Sequence, residues 1–225
     1  MTTILITGAN RGIGFELARA ALEKGWTVYG SARTQGKAHD MAASLPGLKA
    51  LVFDVCNRAE IAEGSRRVDG PLDILINNAG IIGPDRQSTL DMDFDGFAET
   101  LAVNTLAPLA IAQAFLPALR RARTGRILTV SSQMSWMGYG ASDRIAYRAS
   151  KAAVNKVMQG LATDLQADGI PVALIDPGWV RTDMGGKAAD LEPAEVARGI
   201  LKVAENLSLT HTGKFFKWTG DERAF

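Results

Sequence analysis

The sequence predicts an α/β protein: one doubly wound parallel sheet of about seven strands, flanked by helices on both faces and spanning residues 1–225 as a single domain. Three observations predict it. Short apolar runs such as Ile4–Ile6, Leu72–Ile76 and Val172–Ile175 alternate along the chain with segments of helical period. Groups that could meet a ligand fall just past the ends of these runs, at Gly8–Gly14, Asp54 and Asn77–Gly80, where parallel sheets bind their ligands. No repeat, low-complexity tail or linker divides the chain.

Totals narrow the function. A chain of 225 residues, 47% hydrophobic and 22% charged, can bury one substantial core. A net charge of +1 gives no electrostatic case for nucleic acid or an acidic membrane. The single cysteine, Cys56, excludes an internal disulfide, and two histidines far apart, His39 and His211, argue against a metal centre. Met1-Thr2-Thr3 runs straight into an apolar strand, so no signal peptide is expected and the cytoplasm is the default location. The most membrane-like stretch, Leu101–Leu119, contains Asn104, Thr105, Pro108, Gln113 and Pro117, which suit a buried helix better than a span.

The first strand, Ile4–Ile6, ends at Thr7-Gly8. The chain then reads Ala9-Asn10-Arg11-Gly12-Ile13-Gly14 and is helical in period from Phe15 to Lys24. Strand, glycine turn and helix is the context of a phosphate-binding turn: glycines let the backbone approach a pyrophosphate, and the helix N-terminus faces the anion. The spacing Gly-x-x-x-Gly-x-Gly is a variant of the commoner dinucleotide fingerprint. Trp26–Ala32 is the second strand. An NAD-binding fold places an acidic residue roughly 20 positions beyond the glycine turn; here that neighbourhood is Gly30-Ser31-Ala32-Arg33-Thr34, without a carboxylate. Arg33, helped by Arg11, suits a 2′-phosphate, so NADP(H) is the preferred cofactor and NAD(H) the alternative.

Lys49–Phe53 is the third strand, with Asp54-Val55 at its end and Asn57 placed to cap a helix from Arg58. The fourth strand, Leu72–Ile76, ends in Asn77-Asn78-Ala79-Gly80. Phe94–Ala122 reads as one long helix whose last turn and end hold Arg120, Arg121 and Arg123, where cations suit the helix dipole. Asn104 lies inside it among apolar neighbours and must bond to something. The fifth strand, Arg126–Val130, delivers Ser131 and Ser132, and Ile145–Ala167 is the next helix. The sixth strand, Val172–Ile175, leads into Asp176-Pro177-Gly178-Trp179-Val180-Arg181-Thr182. A glycine-rich flap at Gly185–Ala189, a helix near Pro193–Glu205 and a closing strand within Gly213–Trp218 complete the chain.

Tyr147 and Lys151 stand four residues apart and share one helix face. A phenol titrates near ~10 in water, and a neighbouring cation is expected to pull it toward neutrality. A serine hydroxyl from the preceding strand end could hold a carbonyl oxygen beside it. The layout suits proton exchange with a carbonyl or alcohol oxygen.

Taken together, Thr7-Gly8-x-x-x-Gly12-x-Gly14, Asn77-Asn78-Ala79-Gly80, Asn104, Ser132, Tyr147-x-x-x-Lys151 and Pro177-Gly178 make the chain resemble the short-chain dehydrogenase/reductase family over essentially its whole length. The stretches Tyr147–Asn155 and Pro177–Met184 more narrowly resemble its C-factor-like and sniffer-like carbonyl reductase branch. The resemblance implies a Rossmann-type fold and these roles. Gly8, Gly12 and Gly14, with Ile13 in the same turn, accept the pyrophosphate, and Asn10, Arg11 and Arg33 surround the adenosine phosphate. Asp54 and Val55 flank adenine. Asn78, Ala79 and Gly80 run past the adenosine side and ribose. Pro177, Gly178, Val180 and Thr182 position the nicotinamide. Tyr147 is the general acid or base, Lys151 holds the nicotinamide ribose and lowers the tyrosine pKa, Ser132 orients the substrate oxygen, and Asn104 holds a water that links Lys151 to solvent. A small-molecule carbonyl or alcohol substrate and a homodimer or homotetramer are implied as well.

Two departures stand out. Ser132 lies further before Tyr147 than the family usually shows, so Ser131 and Ser135 are alternatives to it. The region after Thr182 is short, which reduces the lid over the substrate pocket; Met134, Ser135, Trp136, Trp179 and Met184 are candidate pocket residues suited to an uncharged carbonyl compound. A cofactor-binding regulatory protein with little turnover is the alternative function, disfavoured because Asn104, Ser132, Tyr147 and Lys151 are all present.

Overall fold

Alternate residues along each central strand go to opposite layers, which is why the strands read as unbroken apolar runs. Ile4, Ile6, Ile74, Ile76, Leu128, Ala173 and Ile175 pack into one core. Their neighbours Leu5, Leu75, Ile127, Val172 and Leu174 pack into the other. A sheet buried on both faces with this period is the hallmark of a parallel sheet covered by helices.

The computed structural model describes residues 1–225. The order is β1 (Thr3–Ile6), α1 (Gly12–Glu23), β2 (Thr27–Ala32), α2 (Gln35–Ser44), β3 (Lys49–Val52), α3 (Arg58–Arg66), β4 (Ile74–Asn77), a short antiparallel hairpin β5 (Gln87–Ser88) and β6 (Asp91–Met92), α4 (Phe94–Leu101), α5 (Ala107–Arg121), β7 (Arg126–Val130), α6 (Ile145–Asp164), β8 (Val172–Asp176), α7 (Pro193–Asn206), β9 (Phe215–Lys217) and β10 (Glu222–Arg223). The main sheet has the order β10-β9-β8-β7-β4-β1-β2-β3, parallel throughout except for the antiparallel edge strand β10. It therefore has eight strands, one more than expected, because β9 turns back on itself at Gly220. Helices α1, α2 and α7 cover one face, and α3, α5 and α6 cover the other.

The expected single helix over Phe94–Ala122 is interrupted. Residues Ala102–Leu106 form a wider π-helical turn between α4 and α5. Pro108 explains the break: it has no N–H to give the Asn104 carbonyl, and the next turn closes instead from the Ala107 N–H to the Ala102 carbonyl. Helix α2, not anticipated, starts at Thr34, whose hydroxyl accepts the Lys37 N–H. Asn57 caps α3 as expected, accepting the Ala59 and Glu60 N–H groups. Arg120 and Arg121 tie the end of α5 to other segments, to Asp168 at 2.7 Å and to the Gly70 carbonyl.

The run Phe94–Arg121 is long and apolar enough to cross a membrane by length and composition. Within it Ile111, Ala112, Phe115 and Leu119 are buried against the sheet, as expected of a core helix. Phe115 is fully buried and its ring centroid lies 6.4 Å from that of Phe53. Phe115→Ala should destabilise the protein by about 3–5 kcal/mol, read as a shift of the urea midpoint; a loss below about 1 kcal/mol would mean that α5 is not held by this contact.

Candidate active site

A cleft of ≈ 300 Å³ runs across the carboxyl ends of the parallel strands. At one end stands the glycine turn. Gly8 and Gly12 have φ of +66° and +55°, the left-handed region, and a Cβ on Gly14 would stand 2.3 Å from the Gly8 carbonyl oxygen. The turn is stitched to the end of β4: the Thr7 hydroxyl accepts the Asn78 and Ala79 N–H groups at 3.0 and 3.1 Å, and Asn78 Nδ2 donates to the Thr7 carbonyl. Helix α1 begins with no side-chain cap and no acidic residue in its first turn, so its free N–H groups and positive dipole end face the cleft.

The structure brings Gly8, Asn10, Arg11, Gly12, Ile13, Arg33, Asp54, Val55, Asn78, Ala79, Gly80, Tyr147, Lys151, Pro177, Thr182 and Met184 to this one cleft. Gly14, Gly178 and Val180 do not line it. Gly178 has φ +75°, and Val180 bridges to Leu191. Among the residues that sequence reasoning passed over, Ser31, Lys37 and Glu99 also line the cleft. The Ser31 hydroxyl accepts the Gly8 N–H, and Lys37 adds a third cation to Arg11 and Arg33. Arg11 pairs with Asp183 at 2.9 Å across the cleft mouth; both are exposed, so the pair adds little stability. The segment read as a mobile flap is tied to itself: Trp179 Nε1 donates to the Gly185 carbonyl, and Arg181 holds the Ala189 carbonyl and Glu192.

At the other end, α6 delivers Tyr147 and Lys151, 8% and 5% exposed. The helix starts at Arg144, which sits in the left-handed region (φ 50°) and provides no side-chain cap. The Tyr147 N–H, an orphan of the first turn, is taken by Gln87 Oε1 from the β5–β6 hairpin at 3.2 Å. Lys151 Nζ donates to the Val130 carbonyl at 2.8 Å and has no carboxylate partner. Asn104 is 1% exposed; its Oδ1 accepts the Ile81 N–H, and its Nδ2 donates to the Ile81 carbonyl and the Ser150 hydroxyl. Its side chain is therefore used up in structure, and Pro108, without an N–H, cannot close an α-helical turn on its carbonyl.

Burial is the larger influence on the tyrosine and pushes its phenol up to about 12, while the Ser132 hydroxyl pulls it down, Asp176 raises it and Arg144 lowers it. The expected lowering by Lys151 is not met by the chain's own groups. Burial brings the lysine itself down to about 8, so at neutral pH it remains mostly protonated.

Ser132, rather than its neighbours, has a partly accessible side chain beside Tyr147. Ser131 and Ser135 are 1% and 3% exposed with their hydroxyls bonded inward, to Asn155 and to the Ser132 carbonyl. This corrects the reading of Ser135 as a pocket residue: it is sealed beneath the loop. Trp136, Trp179 and Met184 are 40–47% exposed and Met134 is half-buried; of the four only Met184 lines the cleft. Asp176, met in sequence only as the residue before Pro177-Gly178, is a buried hub. Its Oδ1 accepts the Gln133 and Gly178 N–H groups at 3.0 and 3.1 Å, and its Oδ2 pairs with Arg223 of β10.

Fold and site together define a nucleotide-binding α/β oxidoreductase of the type that the motifs resemble. The chain belongs to the short-chain dehydrogenase family, whose model, described as short chain dehydrogenase, matches residues 2–192. It is similar to the C-signal of Myxococcus xanthus, with 40% identity over 154 residues, 68% of this chain and 92% of that one. Among solved structures it is similar to an NADPH-bound carbonyl reductase from chicken fatty liver, with a TM-score of 0.91, 30% identity and coverage of 100% and 99% of the two chains. The carbonyl reductase Sniffer of D. melanogaster gives a TM-score of 0.91 with 28% identity, covering all of both chains.

The two buried groups make stability depend on pH in opposite directions. A lysine whose folded pKa is depressed leaves the folded state with fewer protons than the unfolded chain, so stability rises between pH 8 and 10.5. A tyrosine whose folded pKa is raised contributes stability that is lost as pH rises from 10 toward 12. Wild type should therefore gain stability relative to Lys151→Met as pH goes from 8 to 10 in urea titrations. A pH-independent difference would contradict the burial of a depressed amine.

Proposed function

We propose that this chain is an NADP(H)-dependent oxidoreductase that interconverts an aldehyde or ketone and its alcohol by hydride transfer, with Tyr147 as general acid or base. The observation that carries the reading is the meeting, in one cleft, of an uncapped glycine-turn helix and three cations with the buried Tyr147 and Lys151, beside which the half-buried Ser132 lies. The residues fit the cofactor. Arg11, Arg33 and Lys37 suit a 2′-phosphate, and no carboxylate at the end of β2 competes with it. Similarity to an NADPH-bound carbonyl reductase supports the same choice.

When bound, NADP(H) supplies or accepts the hydride. The chain's own work is to orient and to move a proton. Ser132 holds the substrate oxygen, and the Tyr147 hydroxyl gives its proton to that oxygen in reduction or takes one in oxidation. Lys151 would hold the nicotinamide ribose hydroxyls, and the Asn104 carbonyl would hold the water that resupplies the proton. Trp136, Trp179 and Met184 offer apolar and aromatic surface to an uncharged substrate. The reading places the enzyme in the cytoplasm as a homodimer or homotetramer. Apolar surface on the α5 side supports assembly: Leu106 is 56% exposed, and Leu109 and Ala110 border a groove against Ile61 of α3.

A second reading, a cofactor-binding signalling protein with little turnover, is favoured by the similarity to the C-signal. The presence of all four of Asn104, Ser132, Tyr147 and Lys151 favours turnover.

Fluorescence titration with NADPH and NADH tests the cofactor. Arg33→Ala should weaken NADPH about 10- to 100-fold, the loss of one or two charge-assisted hydrogen bonds, and leave NADH nearly unchanged. A panel of apolar aldehydes, ketones and quinones should then support NADPH oxidation. Equal weakening of both nucleotides would overturn the role of Arg33, and failure to bind either would overturn the function.

A further inference from the structure

Ser132 is joined to Tyr147 by a segment that cannot hold it in place. Residues 136–144 are all exposed, and the helix they lead into has no side-chain cap of its own. Whatever fixes the serine against the phenol must come from elsewhere in the fold.

Asn155 supplies it. It lies on α6, four residues beyond Lys151 and eight beyond Tyr147, on the same helix face. Its Oδ1 accepts the Ser131 hydroxyl at 2.5 Å, and its Nδ2 donates to the Ser135 hydroxyl at 2.9 Å. Ser135 in turn donates to the Ser132 carbonyl at 2.7 Å. An amide oxygen only accepts and an amide nitrogen only donates, so the direction of every bond is fixed. Ser131 must donate to Asn155, and Ser135, already accepting from it, has its one proton free for Ser132. Asn155, Ser131 and Ser135 are 4%, 1% and 3% exposed, where water cannot replace a lost partner.

The chain of bonds brackets Ser132 from both sides in sequence. Ser132 itself is extended (φ −166°, ψ 150°), and its hydroxyl accepts the Met134 N–H at 3.1 Å, so the hydroxyl's position follows the turn at 133–135. Asp176 holds the same turn from the far side through the Gln133 N–H. We propose that Asn155 is a positioning residue: through Ser131 and Ser135 it sets the Ser132 hydroxyl against Tyr147. The inference rests on the reading of Ser132 and Tyr147 as the reacting pair. It also explains why Ser131 and Ser135 cannot stand in for Ser132, since both hydroxyls are committed to Asn155.

A kinetic double-mutant cycle tests it. Asn155→Ala should lower kcat for carbonyl reduction by about 10-fold or more while the Kd for NADPH stays within about 2-fold; in a Ser132→Ala background the same substitution should change kcat by less than about 2-fold. In the alcohol-oxidising direction, where Tyr147 must be deprotonated to act as base, the ascending acid-side limb of the kcat–pH profile should move to higher pH, because the Ser132 hydroxyl is what pulls the Tyr147 pKa down. Equal losses in both backgrounds, or an unmoved pH profile, would overturn the proposal. Ser135→Ala, which breaks one link of the chain, should reproduce the pattern if Asn155→Ala does not fold. Amide hydrogen exchange gives a readout independent of turnover. Residues 133–135 should exchange about 10-fold faster in the variant while Gly12–Gly14 do not change. If wild type reduces no carbonyl, the enzyme reading falls and the exchange result alone decides the positioning role; unchanged exchange would overturn it.

Discussion

A lysine amine enters the protein interior without a carboxylate to meet it. Lys151 is 5% exposed, its Nζ rests on the Val130 carbonyl, and burial depresses its pKa to about 8. An uncompensated buried amine is costly, so its surroundings must be held by the rest of the fold. The end of β7 provides the carbonyl. The loop after β4 comes close because Gly80 has no side chain: a Cβ there would stand 3.7 Å from Nζ and 3.1 Å from Asn104 Oδ1. Asn104 in turn locks that loop to α6 through Ile81 and Ser150.

The same economy of polar atoms shapes the remainder of the cleft. Thr7 and Asn78 tie the glycine turn to the end of β4, and Ser31 ties it to β2. Asp176 ties the serine turn, the Pro177-Gly178 loop and the C-terminal hairpin to one carboxylate, with Arg223 as its counter-ion. Removing either member of a buried ion pair leaves the other uncompensated, so the edge strand β10 is coupled to the site even though it carries no reacting group. Most of these ties join the carboxyl end of one strand to another element. The cleft is accordingly the place where the sheet's strands, rather than any single loop, fix the geometry.

Much of this could be read in the sequence, and the limits are physical. The apolar runs located the central strands because both faces of a parallel sheet are buried, and the glycine turn was legible because its spacing and context are local. Helix α2 was not, since only Ala38 and Met41 of it are buried and it shows little apolar periodicity. The break before α5 was written in Pro108, whose missing N–H should have ended the expectation of one long helix. Four-residue spacing showed that Tyr147 and Lys151 share a face but not that burial would outweigh the cation and raise the phenol instead. The choice among Ser131, Ser132 and Ser135 was open in sequence because it depends on Asn155, which lies 20 to 24 residues away along the chain. Arg223 meets Asp176 across 47 residues, a distance that no local pattern encodes.

The central claim is that the buried Tyr147 phenol is the group that exchanges a proton with the substrate oxygen. Single-turnover oxidation of bound NADPH by an apolar aldehyde, in wild type and Tyr147→Phe, tests it most directly, since the substitution removes one oxygen and keeps the ring that fills the site. The account predicts a rate at least about 100-fold lower with NADPH affinity preserved. A phenylalanine variant that turns over at the wild-type rate would contradict it.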